Sequence, residues 1–261
     1  MSYGTGSIAL GDNYAPSGFT VTSDTHGGTD VSWTHQAPII STSGLSVVQN
    51  SNGTTTVSGL QISDSDAAAP TETFAITATT EDASSGTSVS PSNGSGLLSA
   101  INTELAAGIT YNPGATPPAT DMLTLSVVDA FGATDAVNFV FASASNSSQL
   151  TLAGTAGNDV IFATGHDDTL TGGGGVDQFV FNKTTGAHTI TDFSTIDDHI
   201  DLTALSSVVT AATLNSWFAS NVKASTTDPS DTLITVGSTE TITLHNVLAA
   251  NVHASDFLVH A

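Results

Sequence analysis

The 261-residue chain sets 24 Asp and Glu against 2 Lys and Arg, for a formal net charge of -22 at pH 7. With Lys183 and Lys223 as its only basic side chains, it is poorly suited to the phosphates of nucleic acid or to anionic membrane surfaces, and most of its carboxylates must face water, cap a backbone N–H or bind a cation. It has no Cys, so neither disulfides nor thiolate metal sites are available, yet its 39% of hydrophobic residues is enough for packed cores.

Residues 1–36 are rich in Gly, Ser and Thr, with strand-like pieces at Ser7–Leu10, Phe19–Ser23 and Thr29–Trp33 around a His26-Gly27-Gly28 turn. The segment is too short for a core of its own and reads as the tail of an upstream β-repeat. Its opening, MSYGTGSIALGDNY, lacks the basic and apolar regions of a secretory signal peptide. No run in the chain approaches the ~20 apolar residues of a membrane span. Export would therefore be directed from elsewhere in the chain.

Residues 37–143 form a second unit. Phe74, Ile76 and Ala78 alternate, as do Leu123, Leu125 and Val127, and Val137, Phe139 and Phe141. Leu98, Ile101 and Leu105 line one face of a predicted helix over Ser99–Ala107, with Gly108 at its stop. About seven short strands separated by turn signals predict an antiparallel β-sandwich. Three stretches carry a family likeness: GLQISDSD (59–66), GITYNP (108–113) and LSVVDAFGATD (125–135). On these the unit resembles the immunoglobulin-like, cadherin-like repeats of large bacterial secreted adhesins. The resemblance implies a spacer or adhesive surface with a cell-surface or glycan ligand. Asp64, Asp66 and Asp135 have two readings: turn caps, or a calcium site of the cadherin-like kind.

A polar linker, 144–153, precedes an abrupt change of texture. From Gly154 the chain repeats every nine residues: GTAGNDVIF, ATGHDDTLT, GGGGVDQFV. These follow the parallel β-helix pattern G-G-x-G-x-D-x-U-x, in which U is large and apolar. Asp159, Asp168 and Asp177 recur in phase, as do Ile161, Leu170 and Phe179. Six residues make a turn that aims carbonyls and one carboxylate at a point; three make a short strand with its apolar residue inward. Turns alternate sides, so the first and third stack. A cation between them would gather Asp159, Asp177 and backbone oxygens, an all-oxygen shell that suits Ca²⁺ better than Mg²⁺. This stretch resembles the RTX, or hemolysin-type, calcium-binding repeats, as do the trailing FVFN (179–182), ITDF (190–193) and DHIDL (198–202). The resemblance implies metal ligation by the turn residues Gly154, Thr155 and Gly157 with Asp159, and Gly172, Gly173 and Gly175 with Asp177. The second copy lacks the glycines, with His166 in one of their places, and FNKTTG supplies no stacking partner. The site at Asp168 is expected to be absent, or partial and completed by Asp192.

The eight His residues include no HxxxH or HExxH pair, and no GxSxG elbow is present, so neither zinc chemistry nor hydrolysis is expected. In the last segment a helix is predicted over 211–222 and a hairpin over 231–244. The elements LHNV (244–247) and HASDF (253–257) resemble the uncleaved C-terminal signals of type I secreted RTX proteins, which implies an exporter as partner; a cap on the open end of a solenoid is the other reading. The expected architecture is all-β: 1–36 a repeat tail, 37–143 an immunoglobulin-like sandwich, 144–153 a linker, 154–202 a short parallel calcium-binding β-roll, and 203–261 a capping element with the export signal. The expected protein is secreted, extracellular or surface-bound, calcium-binding and not an enzyme. The alternatives are the non-catalytic C-terminal part of a secreted RTX hydrolase, or a glycan-binding sandwich.

Overall fold

The computed structural model describes residues 19–23, 28–33, 35–49, 54–65, 72–81, 87–114, 118–142, 148–183 and 185–261. The strand expected at Ser7–Leu10, and Asp66, lie outside them. In chain order the strands are β1 Phe19–Ser23, β2 Thr29–Trp33, β3 Ile39–Ser41, β4 Ser46–Gln49, β5 Thr55–Ser58, β6 Gln61–Ser63, β7 Thr73–Thr80, β8 Ser88–Ser90 and β9 Asn93–Leu97. Helix α1, Leu98–Ala107, leads into β10 Ile109–Asn112, β11 Thr120–Val128 and β12 Thr134–Ala142. Then come β13 Thr151–Ala153, β14 Asn158–Phe162, β15 Thr169–Thr171, β16 Gln178–Val180, β17 Thr185–Ile190 and β18 His199–Asp201. The chain closes with α2 Leu214–Asn221, β19 Val222–Ala224, β20 Thr232–Thr235, β21 Thr239–Leu244 and β22 Phe257–Leu258. The molecule is mostly β, and both predicted helices are present.

Between residues 35 and 142 two antiparallel layers face each other. One has the order β4-β5-β10-β8; the other begins β9-β7-β11-β12. The alternation read from the sequence is the reason: Phe74, Ile76, Leu123, Leu125, Val127, Val137 and Phe139 point inward against Val57, Ile109 and Tyr111. Helix α1 closes one side with Ile101 and Leu105. Its Asn102 acts as a strand surrogate, accepting from the Ile62 N–H at 2.7 Å and donating to the Ile62 carbonyl at 2.9 Å.

From β13 onward the chain winds between two parallel sheets. β12 is followed in its sheet by β14, β16, β18 and β22, all parallel. The opposite sheet runs β13-β15-β17-β21, again parallel, and ends in the antiparallel strands β20 and β19. Leu152, Ile161, Leu170, Phe179, Ile190 and Ile200 fill the space between, all fully buried. The last segment packs onto this roll: β21 and β22 extend its two sheets, and α2 packs Trp217 and Phe218 edge-on against Phe257.

The boundary expected at the linker is not a break in the structure. β12 is both the last strand of the sandwich sheet and the first of the roll sheet, pairing β11 on one edge and β14 on the other. Val137, Phe139 and Phe141 face the sandwich core, while Val140 faces the roll core. In return Val160, Phe162 and Val180, which point out of the roll, join the sandwich core. Roll strands are only two to six residues long, and a two-sided apolar strand gives them a preformed edge on which to pair.

Candidate metal centre

The turns of the roll stack in two columns. Turns 154–159, 172–177 and 193–198 lie on one edge; turn 163–168 and the first residues of β17 lie on the other. On the first edge the register aligns Asn138, Asp159, Asp177 and Asp198 in one row. Hydrogen bonds run along the row. Asn138 Nδ2 donates to Asp159 Oδ1 at 2.9 Å, the Asp159 N–H to Asp177 Oδ1 at 3.0 Å, and the Asp177 N–H to Asp198 Oδ1 at 3.0 Å. Each turn also folds back on its own Asp: the N–H of Thr155, Thr164 and Ser194 donates to Oδ2 of the Asp four residues later, at 2.6, 2.7 and 2.8 Å. In the third turn Asp192 takes over this task and accepts from the N–H groups of Gly172 and Gly173, both at 2.9 Å.

The glycines are needed where turns touch. Gly173 and Gly175 have φ of 103° and 107°, and a Cβ at either would run into the carbonyl oxygens of Thr155 and Gly157 in the turn below. At Gly154 and Gly172 a side chain would collide with the carboxylates of Asp159 and Asp177. Gly157 has ordinary room; its N–H donates to Thr155 Oγ1 at 3.0 Å.

Electrostatically the row is unbalanced. Asp159, Asp177 and Asp198 are 1%, 2% and 6% exposed, and among the described residues neither Lys183 nor Lys223 forms an ion pair with them. Burial pushes the Asp177 carboxyl up to about 7; the carboxylates of Asp198, Asp159 and Asp192 push the same way, against the Asp159 N–H that it accepts. Burial likewise raises Asp198. Three buried carboxylates in one row, with no basic partner among the described residues, fit a hard divalent cation bound through oxygen.

Residues 151–179 match the family model of the RTX calcium-binding nonapeptide repeat (4 copies). These repeats bind calcium, so Ca²⁺ is the cation that meets this chemistry. No curated protein matches the chain.

The ligands read from the sequence do not all come together. Asp192 does not complete the turn of Asp168. β17 carries the chain across the roll, so the residues after it stand on the opposite edge, beside Asp177. Asp168 instead stacks between Leu150, whose N–H donates to its Oδ1 at 3.0 Å, and His188, whose Nδ1 accepts its N–H at 3.3 Å. Asp135 has a capping role, the other of its two readings: its Oδ2 accepts the Ile40 N–H at 2.7 Å and ties β3 to β12, and neither Asp64 nor Asp135 is in a group of three His, Asp or Glu ligands among the described residues. Asp198, by contrast, was missed. It follows Asp177 by 21 residues where the previous step is 18, so a nine-residue period passes over it. A hydroxyl residue four before an Asp (Thr155, Thr164, Ser194) would have found it.

Proposed function

We propose that this chain is a calcium-folded structural module of a secreted protein, with no catalytic role of its own. Residues 35–142 would serve as an immunoglobulin-like or cadherin-like adhesin repeat, acting as spacer or adhesive surface, and residues 244–261 would carry the address for a type I exporter. One observation carries the reading: a row of buried carboxylates without a basic partner among the described residues, Asp159, Asp177 and Asp198, is hydrogen-bonded at its head to Asn138 on the last sandwich strand. Asp159 and Asp177, with the turn carbonyls of 154–157 and 172–175, are the proposed calcium ligands, and Asp198 and Asp192 extend the set. Asp168 is the weak member, because its partner in the stack is an imidazole. The scarcity of basic residues and the absence of Cys agree with passage through a secretion channel as a loose chain that orders on meeting millimolar calcium. In support, no helix among the described residues is long and apolar enough to span a membrane.

Calorimetric calcium titration of the full chain and of single Asp→Asn variants tests the ligand set. The expected order of loss is Asp177, then Asp159 and Asp198, then Asp168. Equal losses at all four positions would remove the row as the organising feature. Secretion assays in a host with a matching type I exporter test the address; export that survives deletion of 244–261 would remove it.

A further inference from the structure

A second group of metal-ligating side chains lies at the end of the sandwich where β7 begins and β11 ends. His35 precedes β3, Glu72 immediately precedes β7, and Asp129 immediately follows β11. One ligand atom from each falls within 4.8 Å of the others. Because β7 and β11 are antiparallel neighbours, the start of one and the end of the other bring the two carboxylates to the same pole.

Asp129 is held for a purpose its own turn does not explain. Its Oδ1 accepts the N–H groups of Phe131 and Ala133 at 2.8 and 2.9 Å, which fixes the carboxylate plane. Its Oδ2 is turned inward, on a side chain with no exposure, and receives no hydrogen bond. Such an oxygen is costly unless positive charge meets it. What it faces is His35 Nδ1 at 3.3 Å. The imidazole ring packs against Phe131, centroids 4.3 Å apart, and directs its other nitrogen toward Glu72 Oε1 at 3.6 Å. With a side chain 13% exposed, His35 links the group to the surface.

The ligand chemistry differs from that of the roll. Ca²⁺ prefers an all-oxygen shell of six to eight ligands, whereas an imidazole with carboxylates suits Zn²⁺ and its neighbours. Ligands ~2.1 Å from a tetrahedral ion stand ~3.4 Å apart, close to the spacing between Nδ1 and Oδ2. Glu72 on the other side of the ring either completes the shell or orients the imidazole, as carboxylates do behind zinc-bound histidines. We propose that His35, Glu72 and Asp129 form a binding site for a divalent transition-metal ion of the Zn²⁺ class, independent of the calcium row. Its effect would be to pin the segment that enters the sandwich to the ends of β7 and β11.

The test uses the full chain saturated with Ca²⁺. Zn²⁺ is titrated by calorimetry, and the ¹⁵N shifts of the His35 ring are followed by NMR. The expected result is one zinc equivalent that moves the His35 resonances, with affinity at least tenfold weaker in Asp129→Asn and His35→Gln and unchanged calcium stoichiometry. Asn keeps the Oδ1 that caps Phe131 and Ala133, so the turn survives the change. The wild-type NMR arm does not depend on any variant folding. Ring nitrogens that stay in the imidazolium range and ignore Zn²⁺ would overturn the proposal and leave a charge-paired cluster. Zinc binding that persists undiminished in both variants would place it elsewhere and overturn it equally.

Discussion

The sandwich and the roll share a strand and differ in what they bury. On the sandwich side, β7 and β11 send Phe74, Ile76, Leu123, Leu125 and Val127 into an apolar core, with the buried carboxylates Glu72, Asp121 and Asp129 towards the ends of those strands. The roll has its own apolar column, from Leu152 to Ile200, but its edges bury Asp159, Asp168, Asp177, His188, Asp198 and Glu240 as well. Apolar burial needs no other component. Buried carboxylates need a counter-charge, and among the described residues no ion pair reaches Asp159, Asp177, Asp198 or Glu240. Two halves joined by one hydrogen-bonded sheet therefore differ in what completes their centres: the apolar core of the first is complete as a chain, while the carboxylate row of the second calls for calcium.

The largest expected effect follows from that difference. With calcium chelated, amide exchange should lose protection over 150–202 while β7 and β11 keep theirs, and β12 should fall between, since it loses β14 but keeps β11. Exchange measured by mass spectrometry with and without chelator checks this. Uniform loss across both halves would show that the shared strand couples them into one folding unit.

Next comes a change of sign at Asp177. In calcium, Asp177→Asn should weaken binding at least tenfold, about 1.4 kcal/mol. In chelator the same change should stabilise. The folded carboxyl titrates near 7 rather than 3.8, so without metal the fold favours its protonated form, and stability falls as pH rises from about 4 through about 7. The Asn variant should lack that part of the fall. Denaturant unfolding at pH 5 and pH 8, in chelator, reads it; a variant less stable than the parent in both media would contradict the account.

Much of this contrast is legible in the sequence, and the exceptions have physical reasons. Strict alternation in TFAITAT and LTLSV gives strands with one buried face, and the nine-residue phase of Asp and apolar residues gives the roll. The double duty of β12 is written less clearly: Phe139, Val140 and Phe141 are consecutive buried residues, and a break in alternation is the mark of a strand covered on both sides. Asp198 escapes because three inserted residues shift its phase while leaving the stack intact. The replacement of an Asp by His188 in the other column, and the arrival of Glu240 inside the roll, depend on which strands become neighbours. β21 pairs with β17 across some fifty residues of chain, and no local pattern specifies that.

Glu240 gives a third and smaller effect. It is 1% exposed, its Oε2 has no hydrogen-bond partner, and burial pushes its carboxyl up to about 7 from 4.5. A carboxyl with a raised folded-state pKa favours the fold fully below about 4.5, and that advantage is lost as pH climbs through about 7, at a slope of at most ~1.4 kcal/mol per pH unit. At saturating calcium, where Asp177 is held ionised, Glu240→Gln should flatten the decline and raise stability at pH 8. An unchanged pH profile would show that Glu240 finds solvent or a cation when it ionises.

The smallest expected effect probes the seam itself. Asn138 sits on β12 at the head of the carboxylate row. Its Oδ1 accepts from Thr124 Oγ1 at 2.8 Å, which fixes the amide on the sandwich side, and its Nδ2 donates to Asp159 Oδ1 at 2.9 Å and Thr155 Oγ1 at 3.2 Å on the roll side. One side chain thus links the strand that is complete without metal to the first proposed calcium ligand. A hydrogen bond to a charged acceptor contributes roughly 1.5–3 kcal/mol, and Ala at this position would forfeit it along with the link to Thr124. Asn138→Ala should therefore weaken calcium binding several-fold without unfolding the sandwich, whose apolar contacts it leaves untouched. More telling is the coupling. In the parent, calcium should raise exchange protection in β12 and, through it, in β11; in Asn138→Ala the rise in β11 should shrink while that in β14 and β16 remains. A double-mutant cycle with Asp159→Asn separates the two causes, because the Asn138 effect should vanish once its charged acceptor is gone. If β11 responds to calcium equally in parent and variant, the coupling runs through the β12–β14 backbone ladder, and the side chain is incidental.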